Sequence, residues 1–415
     1  MKTPILLILV ACVAAIVGAR LANSLQGTDF PEFYCAARML LDGHGHQLYD
    51  AVLQREYQAH YAGRVGTLYN HPPFEAVLYL VVAWLPLRRA YLLWSFLNLA
   101  VLGAGMVRLS KHALQPWDWR ILLAASFTFI PVLLCLLQGQ DSLLLLLLVI
   151  LAFTDLRRGR PFTAGCWLGL GLFKFQIVLP VILVLVLTQS GRRKALAKGF
   201  NLVALAFVGL SAAISGWPVF GVYPKFILHL PAEKFAGVFP VAMANFRGLT
   251  YMVFHGDHSA RTAAAISILS LATLTKTLAV WKHTWLASDQ RLTSATHEEF
   301  DLSFANTVIF SLLVSYHLNP HDLALLLLPI SVLLHHTLAR NRLPGPRAWA
   351  TLGLLGTLFL PPLQLWTLKT GTYALIALPI LFLFLMGPTV SNRSNGRSSE
   401  APHTTLHIRK DQREN

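Results

Sequence analysis

Apolar runs of about 15 to 20 residues recur along almost the whole chain. They lie near residues 4–22, 73–87, 90–107, 121–137, 141–154, 162–190, 200–215, 259–281, 302–316, 322–337, 348–363 and 372–387. Hydrophobic residues make up 55% of the chain and charged residues only 13%. A soluble core could not hide this much apolar surface, so the pattern predicts an all-α, polytopic membrane protein. Counting 162–190 as one crossing predicts about 12 transmembrane helices.

The formal net charge of +15 is concentrated in short basic clusters between apolar runs. Such clusters occur at Arg88 and Arg89, at 157–160 and at 192–194. This arrangement is typical of cytoplasmic loops, so it predicts a multi-pass protein of the plasma (inner) membrane and argues against nucleic acid as a partner. The residues at 1–22 resemble a signal peptide, but we expect an uncleaved first helix.

The run at 162–190 allows two topologies. A single span would put the basic cluster at 157–160 on the outer face. A hairpin of two short helices around Lys174 would let every basic cluster be cytoplasmic, and another segment, such as 90–107, would then fail to cross. The sequence leaves both open, and interrupted helices at membrane depth occur where a protein lines a polar cavity.

Two long polar stretches are predicted on the outer side, at 23–71 and 216–258. Within the first, 31–42 and 49–60 have the pattern of short amphipathic helices lying on the membrane surface. We expect one transmembrane domain over 1–390 and a basic, disordered cytoplasmic tail over 391–415.

The stretch at 27–50 holds four of only 19 acidic residues in the chain. Glu32, Asp42 and Asp50 are explained as solvated faces and turns of the two short helices. Asp29 stands apart, because it follows the first predicted span most closely. Its simplest alternative role is to cap the helix that Pro31 begins.

Other polar residues interrupt or flank apolar runs, where they are costly and therefore functional candidates. The candidates for substrate binding are His71, Gln138, Gln140, Lys174, Asn245, Arg247, His317 and His321.

Each of these candidates has a structural alternative. His71 could mark a helix start, the glutamines could flank a tight turn, and Lys174 could extend to the interface. His317, His321 and Asp322 could suggest metal ligands, although Pro320 argues against a regular helix there. No metal or cofactor is predicted.

In the hairpin topology all of these places converge on one outer, water-accessible cavity. A carboxylate base together with cationic groups suits a reaction in which a hydroxyl attacks and an anionic phosphate leaves.

The chain resembles glycosyltransferase family 87, whose members are membrane enzymes of the GT-C type. The resemblance rests on an ordered set of short motifs: DFPEFYCAARMLLDGHGHQLY, YNHPPFEAVLYLVVAWLP, QGQDSLLLLLL, GCWLGLGLFKFQIVLP and YHLNPHDLALLLLP. The sequence departs from the family pattern in having Phe175 and Gln176 after Lys174, where a proline is common.

This resemblance implies transfer of a hexose, mannose above all, from a polyprenyl-phosphate donor to an extracytoplasmic lipid or glycan acceptor. It implies Asp29 as the catalytic base and inversion at the anomeric carbon. We further expect Lys174 with His317 or His321 to bind the leaving phosphate, and Gln140 and Asn245 to contact sugar hydroxyls.

Two other classes remain as alternatives. A lipid-linked sugar flippase or other transporter would share the many spans, but would leave the glycosidic bond intact. A structural membrane subunit would use Asp29 only as a helix cap.

Overall fold

The computed structural model describes residues 25, 27–189, 191–229, 238–255, 259–286, 294–338 and 346–386. In these ranges the chain forms helices and no β-strand, which confirms the all-helical prediction for this part of the protein. The predicted first span at 4–22 and the basic tail at 391–415 lie outside the described residues.

The described part of the first half of the chain forms nine α-helices: α1 (Phe30–Leu41), α2 (Ala51–Ala62), α3 (Leu80–Ala83), α4 (Leu87–His112), α5 (Trp119–Ser126), α6 (Ile130–Gln138), α7 (Ser142–Arg157), α8 (Pro161–Leu170) and α9 (Phe175–Thr188). The described part of the second half adds α10 (Arg193–Ser215), α11 (Val219–His229), α12 (Phe246–Phe254), α13 (Ala260–Leu286), α14 (Ser294–Val314), α15 (Leu327–Leu338), α16 (Pro346–Leu358), α17 (Pro361–Lys369) and α18 (Ala377–Met386). Short 3-10 helices lead into α3, α9 and α15, at Pro73–Tyr79, Gly171–Lys174 and Pro320–Leu326.

Five described segments are long and apolar enough to cross a membrane: Leu87–His112, Pro161–Thr188, Arg193–Ser215, Ala260–Lys282 and Pro320–Leu338. The total is seven if two bent pairs, α5 with α6 and α16 with α17, each count as one span. Most of the span windows of α10 and α13 are exposed, with apolar side chains such as Leu205 and Ile268 on the outside. A lipid environment explains this exposure, whereas water would not.

Proline explains both bends. The axes of α5 and α6 differ by 72°, and Pro131 lies in the first turn of α6. The described part of α16 and the helix α17 differ by 54°, and α17 begins at Pro361. A proline has no N–H to continue the preceding helix, so each pair breaks where the proline starts the second helix.

The chain reverses direction at Lys174, although 161–188 has the length and hydropathy of a single span. Lys174 has non-helical dihedrals, with φ −112° and ψ 55°. A Cβ placed on Gly171 would lie 3.0 Å from Cγ2 of Val178. In a straight helix these two residues would be separated by about 10 Å along the axis. The segment is therefore a hairpin of α8 and α9, as one of the two predicted topologies requires.

The bundle has two ends, which we call the Gln140 end and the Asp155 end. Helices α4 and α7 run between them in the same direction. At the first end, Trp94 Nε1 donates to the carbonyl of Gly139 at 2.9 Å. At the second end, Arg108 Nη2 lies 2.7 Å from Asp155 Oδ1.

Two basic clusters share the Asp155 end. Arg192 Nη1 donates to the carbonyl of Leu156 at 3.4 Å, across the gap between the start of α10 and the end of α7. The clusters at 157–160 and 192–194 therefore lie together, as the hairpin topology predicts.

The cluster of Arg88 and Arg89 lies instead at the Gln140 end, where α4 begins. The stretch 90–107, one segment that could have failed to cross, lies in the 26-residue helix α4, which is long and apolar enough to span a membrane. Two described apolar segments are instead too short to span, Pro73–Ala83 and Tyr373–Met386, and the first of them packs against α1. The rings of Phe33 and Tyr79 stack with centroids 4.6 Å apart, and such packing does not show in hydropathy.

The two short helices predicted in the first outer stretch exist as α1 and α2. Pro31 lies in the first turn of α1, and the Asp50 carboxylate caps α2 by accepting the N–H groups of Val52 and Leu53. Helix α1 is buried on nearly all sides and does not present a solvated face. The sequence of α1 is amphipathic, but other elements of the fold cover the polar face that was expected to contact water.

Candidate active site

Asp29 directly precedes α1, yet its carboxylate does not cap the helix. Its Oδ2 accepts a hydrogen bond from Nε2 of Gln140 at 2.7 Å. Burial raises the pKa of the Asp29 carboxyl, while the Gln140 hydrogen bond and the Lys174 ammonium oppose that rise. A capping aspartate would accept N–H groups of the first turn, so the capping role considered for Asp29 is not what its side chain does here.

The contact between Asp29 and Gln140 depends on a glycine. Gly139 ends α6 with φ 70°, in the left-handed region that glycine adopts readily. A Cβ there would lie 2.7 Å from Cβ of Phe30, the first residue of α1. The bare glycine thus lets the start of α1 approach the turn, and this approach brings Asp29 to Gln140.

Lys174 lies at the centre of a buried polar cluster. Its Nζ is 3.3 Å from Gln140 Oε1, 3.4 Å from Asp141 Oδ1 and 3.2 Å from Asp322 Oδ1. The residue is only 2% exposed, so it does not extend to an interface. Lys174 thereby connects the turn at Gln140 with the 3-10 helix Pro320–Leu326, which contains Asp322.

Asp322 is held by its own turn as well. Ser142 Oγ donates to Asp322 Oδ1 at 2.7 Å, and the backbone N–H of Asn319 donates to Oδ2 at 2.8 Å. Next to it, Nδ1 of His321 lies 2.6 Å from Oε1 of Gln138. The QGQD turn and the HLNPHD turn, which are far apart in sequence, therefore meet side by side.

His317 begins the second of these turns. Its Nε2 lies 3.3 Å from Nδ2 of Asn319. Burial lowers the pKa of His317 to about 4, so the ring is neutral at pH 7. It can act as a hydrogen-bonding group there, but it does not supply a positive charge.

Asn245 and Arg247 support this turn from α12. Asn245 caps α12 by accepting the N–H of Gly248 at 2.9 Å, and its Nδ2 donates to the carbonyl of Ser315 at 2.7 Å. Arg247 donates to the carbonyl of Tyr316 at 3.1 Å and lies over the Tyr316 ring. These contacts hold the backbone beside His317.

His71 belongs to an acidic group that was not predicted from the sequence. Its Nδ1 lies 2.9 Å from Glu75 Oε1, and its Nε2 lies 3.8 Å from Glu32 Oε1. Glu32 is 5% exposed, so its assignment to a solvated helix face was wrong. Two signals were available: Glu32 follows Asp29 by three residues, and Glu75 follows His71 by four, and residues at these separations can approach each other where a helix begins.

Burial shifts the pKa values of this acidic group toward the neutral forms. Burial and the neighbouring Asp29 and Glu75 raise the pKa of Glu32 well above its usual range. Burial lowers the pKa of His71 to about 4. The raised pKa of Glu32 favours its protonated form, which could donate a hydrogen bond beside the Asp29 carboxyl, and such a pair suits contact with hydroxyl groups.

Asp29 and Glu32 also line a narrow polar cavity at the Gln140 end. Its other lining residues are Thr28, Pro31, Gln58, Arg64, Gly66 and Thr67. Across the described ranges, no group of three or more histidine, cysteine or carboxylate side chains is arranged to hold a metal ion. The arrangement is a carboxyl group that is hydrogen-bonded by an amide and lines a small space together with hydroxyl, amide and guanidinium groups.

A bundle of apolar helices with such a cavity at one end is what a membrane-embedded glycosyltransferase requires. The model of glycosyltransferase family 87 matches residues 69–316, which is more than half of the chain. The chain belongs to this family and is a glycosyltransferase, so the transporter and structural-subunit alternatives do not hold. No curated protein and no solved structure matches it significantly. Asp29, His317 and His321 lie outside the matched range.

Proposed function

We propose that this protein transfers a hexose, mannose in the first instance, from a polyprenyl-phosphate donor to a lipid or glycan acceptor. Asp29 acts as the general base, and the anomeric carbon is inverted. The observation that carries the proposal is the Asp29 carboxylate, which is oriented by Gln140 at 2.7 Å and lines a polar cavity. Family membership supports the transfer reaction itself.

The chemistry needs one carboxylate. The acceptor hydroxyl gives its proton to Asp29 as its oxygen attacks the anomeric carbon from the face opposite the phosphate. The bond between that carbon and the phosphate oxygen breaks, and the electron pair leaves with the polyprenyl phosphate. A phosphate is a stable anion, so its departure needs no strong acid. The raised pKa of Asp29 brings the base closer to neutral pH, where proton transfer is more effective.

We assign Lys174 and Gln140 to the positioning of Asp29. The Lys174 ammonium lies between Asp141 and Asp322, and these two carboxylates compensate its charge. It is therefore better suited to hold Gln140 than to receive a leaving phosphate. Gln140 in turn holds the base.

The remaining residues form the walls of the proposed site. His317 and His321 serve as neutral hydrogen-bonding groups, and Gln138 orients His321. Asn245 and Arg247 keep the turn at His317 in place through its backbone.

We further propose that the Gln140 end faces the extracytoplasmic side of the plasma membrane. The stretches at 23–71 and 216–258 are then outer loops of a single domain over 1–390, and 391–415 is a cytoplasmic tail. The domain then has fewer than the predicted 12 spans, because 161–188 is a hairpin and Pro73–Ala83 is too short to cross. Support comes from the clusters at 157–160 and 192–194, which both lie at the Asp155 end, where the positive-inside rule puts them in the cytoplasm.

Incubation of the purified protein with a panel of polyprenyl-phosphate hexoses, followed by mass spectrometry and NMR of the product, tests the proposal. We expect transfer to a lipid or glycan acceptor, with the new glycosidic bond inverted relative to the donor. A product that retains the donor configuration would contradict the single-base mechanism. Transfer from nucleotide sugars alone would contradict the proposed donor.

A further inference from the structure

Arg88 and Arg89 are exposed at the Gln140 end, at the start of α4. The clusters at 157–160 and 192–194 lie at the other end of the bundle. Basic residues that flank a span on the outer side oppose the positive-inside rule, so an arginine pair there needs another reason. The first turn of a 26-residue helix adds a favourable field for an anion.

The two arginines line a groove of about 470 Å³. The other lining residues are Leu25, Tyr61, Ala62, Pro86 and Leu87, so the walls are mainly apolar and the charge is confined to one side. Arg38 fixes the tyrosine wall, because its Nη2 donates to Tyr61 Oη at 2.9 Å and its guanidinium lies over the ring. An apolar trough with guanidinium groups at its edge matches a lipid with an anionic phosphate head.

Arg64 links this groove to the cavity of Asp29. Its Nη2 donates to the carbonyl of Leu25, which lines the groove, at 2.8 Å, and to that of Thr28, which lines the cavity, at 3.3 Å. The Arg64 side chain itself lines the cavity, and its Nε is buried without a hydrogen-bond partner among the described residues. A buried guanidinium N–H without a partner is costly unless a ligand supplies the acceptor.

The turn between groove and cavity is held in a strained conformation. Leu25 has φ 59°, which is uncommon for a residue other than glycine. Its carbonyl accepts Thr28 Oγ1 at 2.8 Å and Thr28 N–H at 3.2 Å in addition to Arg64. Three donors on one carbonyl keep the turn in place, and such over-determined strain is common where a ligand is bound.

We propose that this groove binds the phosphate of a lipid phosphate, with Arg88 and Arg89 at its mouth and Arg64 at its inner end. The inference rests on the proposed function, since the lipid is then the sugar donor and its phosphate must lie within reach of Asp29. The sugar projects from the groove toward Asp29, and the polyprenyl chain leaves through the apolar walls. Arg88, Arg89 and Arg64 then supply the positive charge for the phosphate, because Lys174 is already paired with Asp141 and Asp322.

The test compares donor kinetics of the wild type with an Arg88→Gln/Arg89→Gln variant in nanodiscs of zwitterionic phosphatidylcholine. Charge-assisted hydrogen bonds to phosphate are lost, so we expect KM for the donor to rise about 10- to 100-fold with kcat within about threefold of the wild type. Arg88→Lys/Arg89→Lys keeps the charge and should stay within about tenfold. Arg158→Gln/Arg160→Gln, at the Asp155 end, is the matched control and should leave KM unchanged.

Inhibition measurements distinguish the ways in which this inference could be wrong. Polyprenyl phosphate without sugar should inhibit the wild type competitively and the Arg88→Gln/Arg89→Gln variant much less, whereas phosphatidylglycerol should inhibit neither strongly. Equal competition by phosphatidylglycerol would show a general headgroup site and overturn the assignment to the donor. An unchanged KM in the variant, with an active wild type, would overturn the inference alone. A wild type that transfers no sugar from any polyprenyl phosphate would overturn the proposed function instead.

Discussion

Replacement of Lys174 by methionine should destabilise the protein strongly. The ammonium lies 3.4 Å from Asp141 and 3.2 Å from Asp322, in a side chain that is only 3% exposed. At an effective dielectric constant of about 20, each such contact is an attraction of about 5 kcal/mol, most of which offsets the cost of burying the charges. Removing one partner of a buried ion pair leaves the other uncompensated, so we expect a loss of about 3–5 kcal/mol in the free energy of unfolding.

The two carboxylates should not respond equally. Asp322 keeps its hydrogen bonds from Ser142 and from the backbone of Asn319 after Lys174 is removed. Asp141 lies beside the Glu75 carboxyl, which raises the cost of its charge. Adding Asp141→Asn to Lys174→Met should therefore recover about 2 kcal/mol or more, and adding Asp322→Asn should recover less.

The assay is denaturant-induced unfolding in detergent, followed by tryptophan fluorescence, for the three variants and the wild type. A single Lys174→Met variant within about 1 kcal/mol of the wild type would refute the buried-charge argument. Greater recovery with Asp322→Asn than with Asp141→Asn would refute the proposed difference between the two acids.

Three further predictions concern the site and its support. Activity should fall as the pH drops through the raised pKa of Asp29, because only the carboxylate accepts a proton, and Gln140→Leu should move this acid limb of kcat/KM to higher pH; an unmoved limb would remove Gln140 from this role. The pKa of Glu32 is raised in the folded protein, so its contribution to stability is present below about pH 4.5 and is lost as the pH rises through the raised value; Glu32→Gln should therefore make the unfolding free energy depend less on pH above about 4.5, and an unchanged slope would contradict it. A Cβ on Gly199 would lie 2.0 Å from a carbonyl oxygen of α8, so Gly199→Ala should cost about 1–3 kcal/mol in the same unfolding assay, whereas Gly209→Ala, with open space around it, should gain up to about 1 kcal/mol.

The apolar runs were sufficient to predict helices and a membrane, because transmembrane length and hydropathy are local properties of the sequence. The reversal at Lys174 was foreseen as one of two options, since polar residues broke an otherwise apolar run. Which segment stays short was not foreseen. Pro73–Ala83 is as apolar as its neighbours, and only its packing against α1, through Phe33 and Tyr79, distinguishes it.

The candidate site, like the fold, could be predicted from the sequence only in part. Asp29, Gln140 and Lys174 were selected because polar residues at membrane edges are costly, and Gln140 lies within hydrogen-bonding distance of both Asp29 and Lys174. Glu32 was missed because an amphipathic pattern shows which face is polar but not what covers that face. The compensation of Lys174 by two carboxylates could not be predicted either, because Asp322 is 148 positions further along the chain.

Sugar transfer by an Asp29→Asn variant is the most direct test of Asp29 as the catalytic base. Asp50→Asn is the matched control, because Asp50 caps the neighbouring helix α2 and asparagine caps as well as aspartate does. With wild-type protein that transfers sugar from a polyprenyl-phosphate donor, we predict that Asp29→Asn lowers kcat by about 10²- to 10⁴-fold at unchanged expression and unfolding midpoint, and that Asp50→Asn is fully active. An Asp29→Asn enzyme within tenfold of the wild type would contradict the assignment of Asp29 as the base.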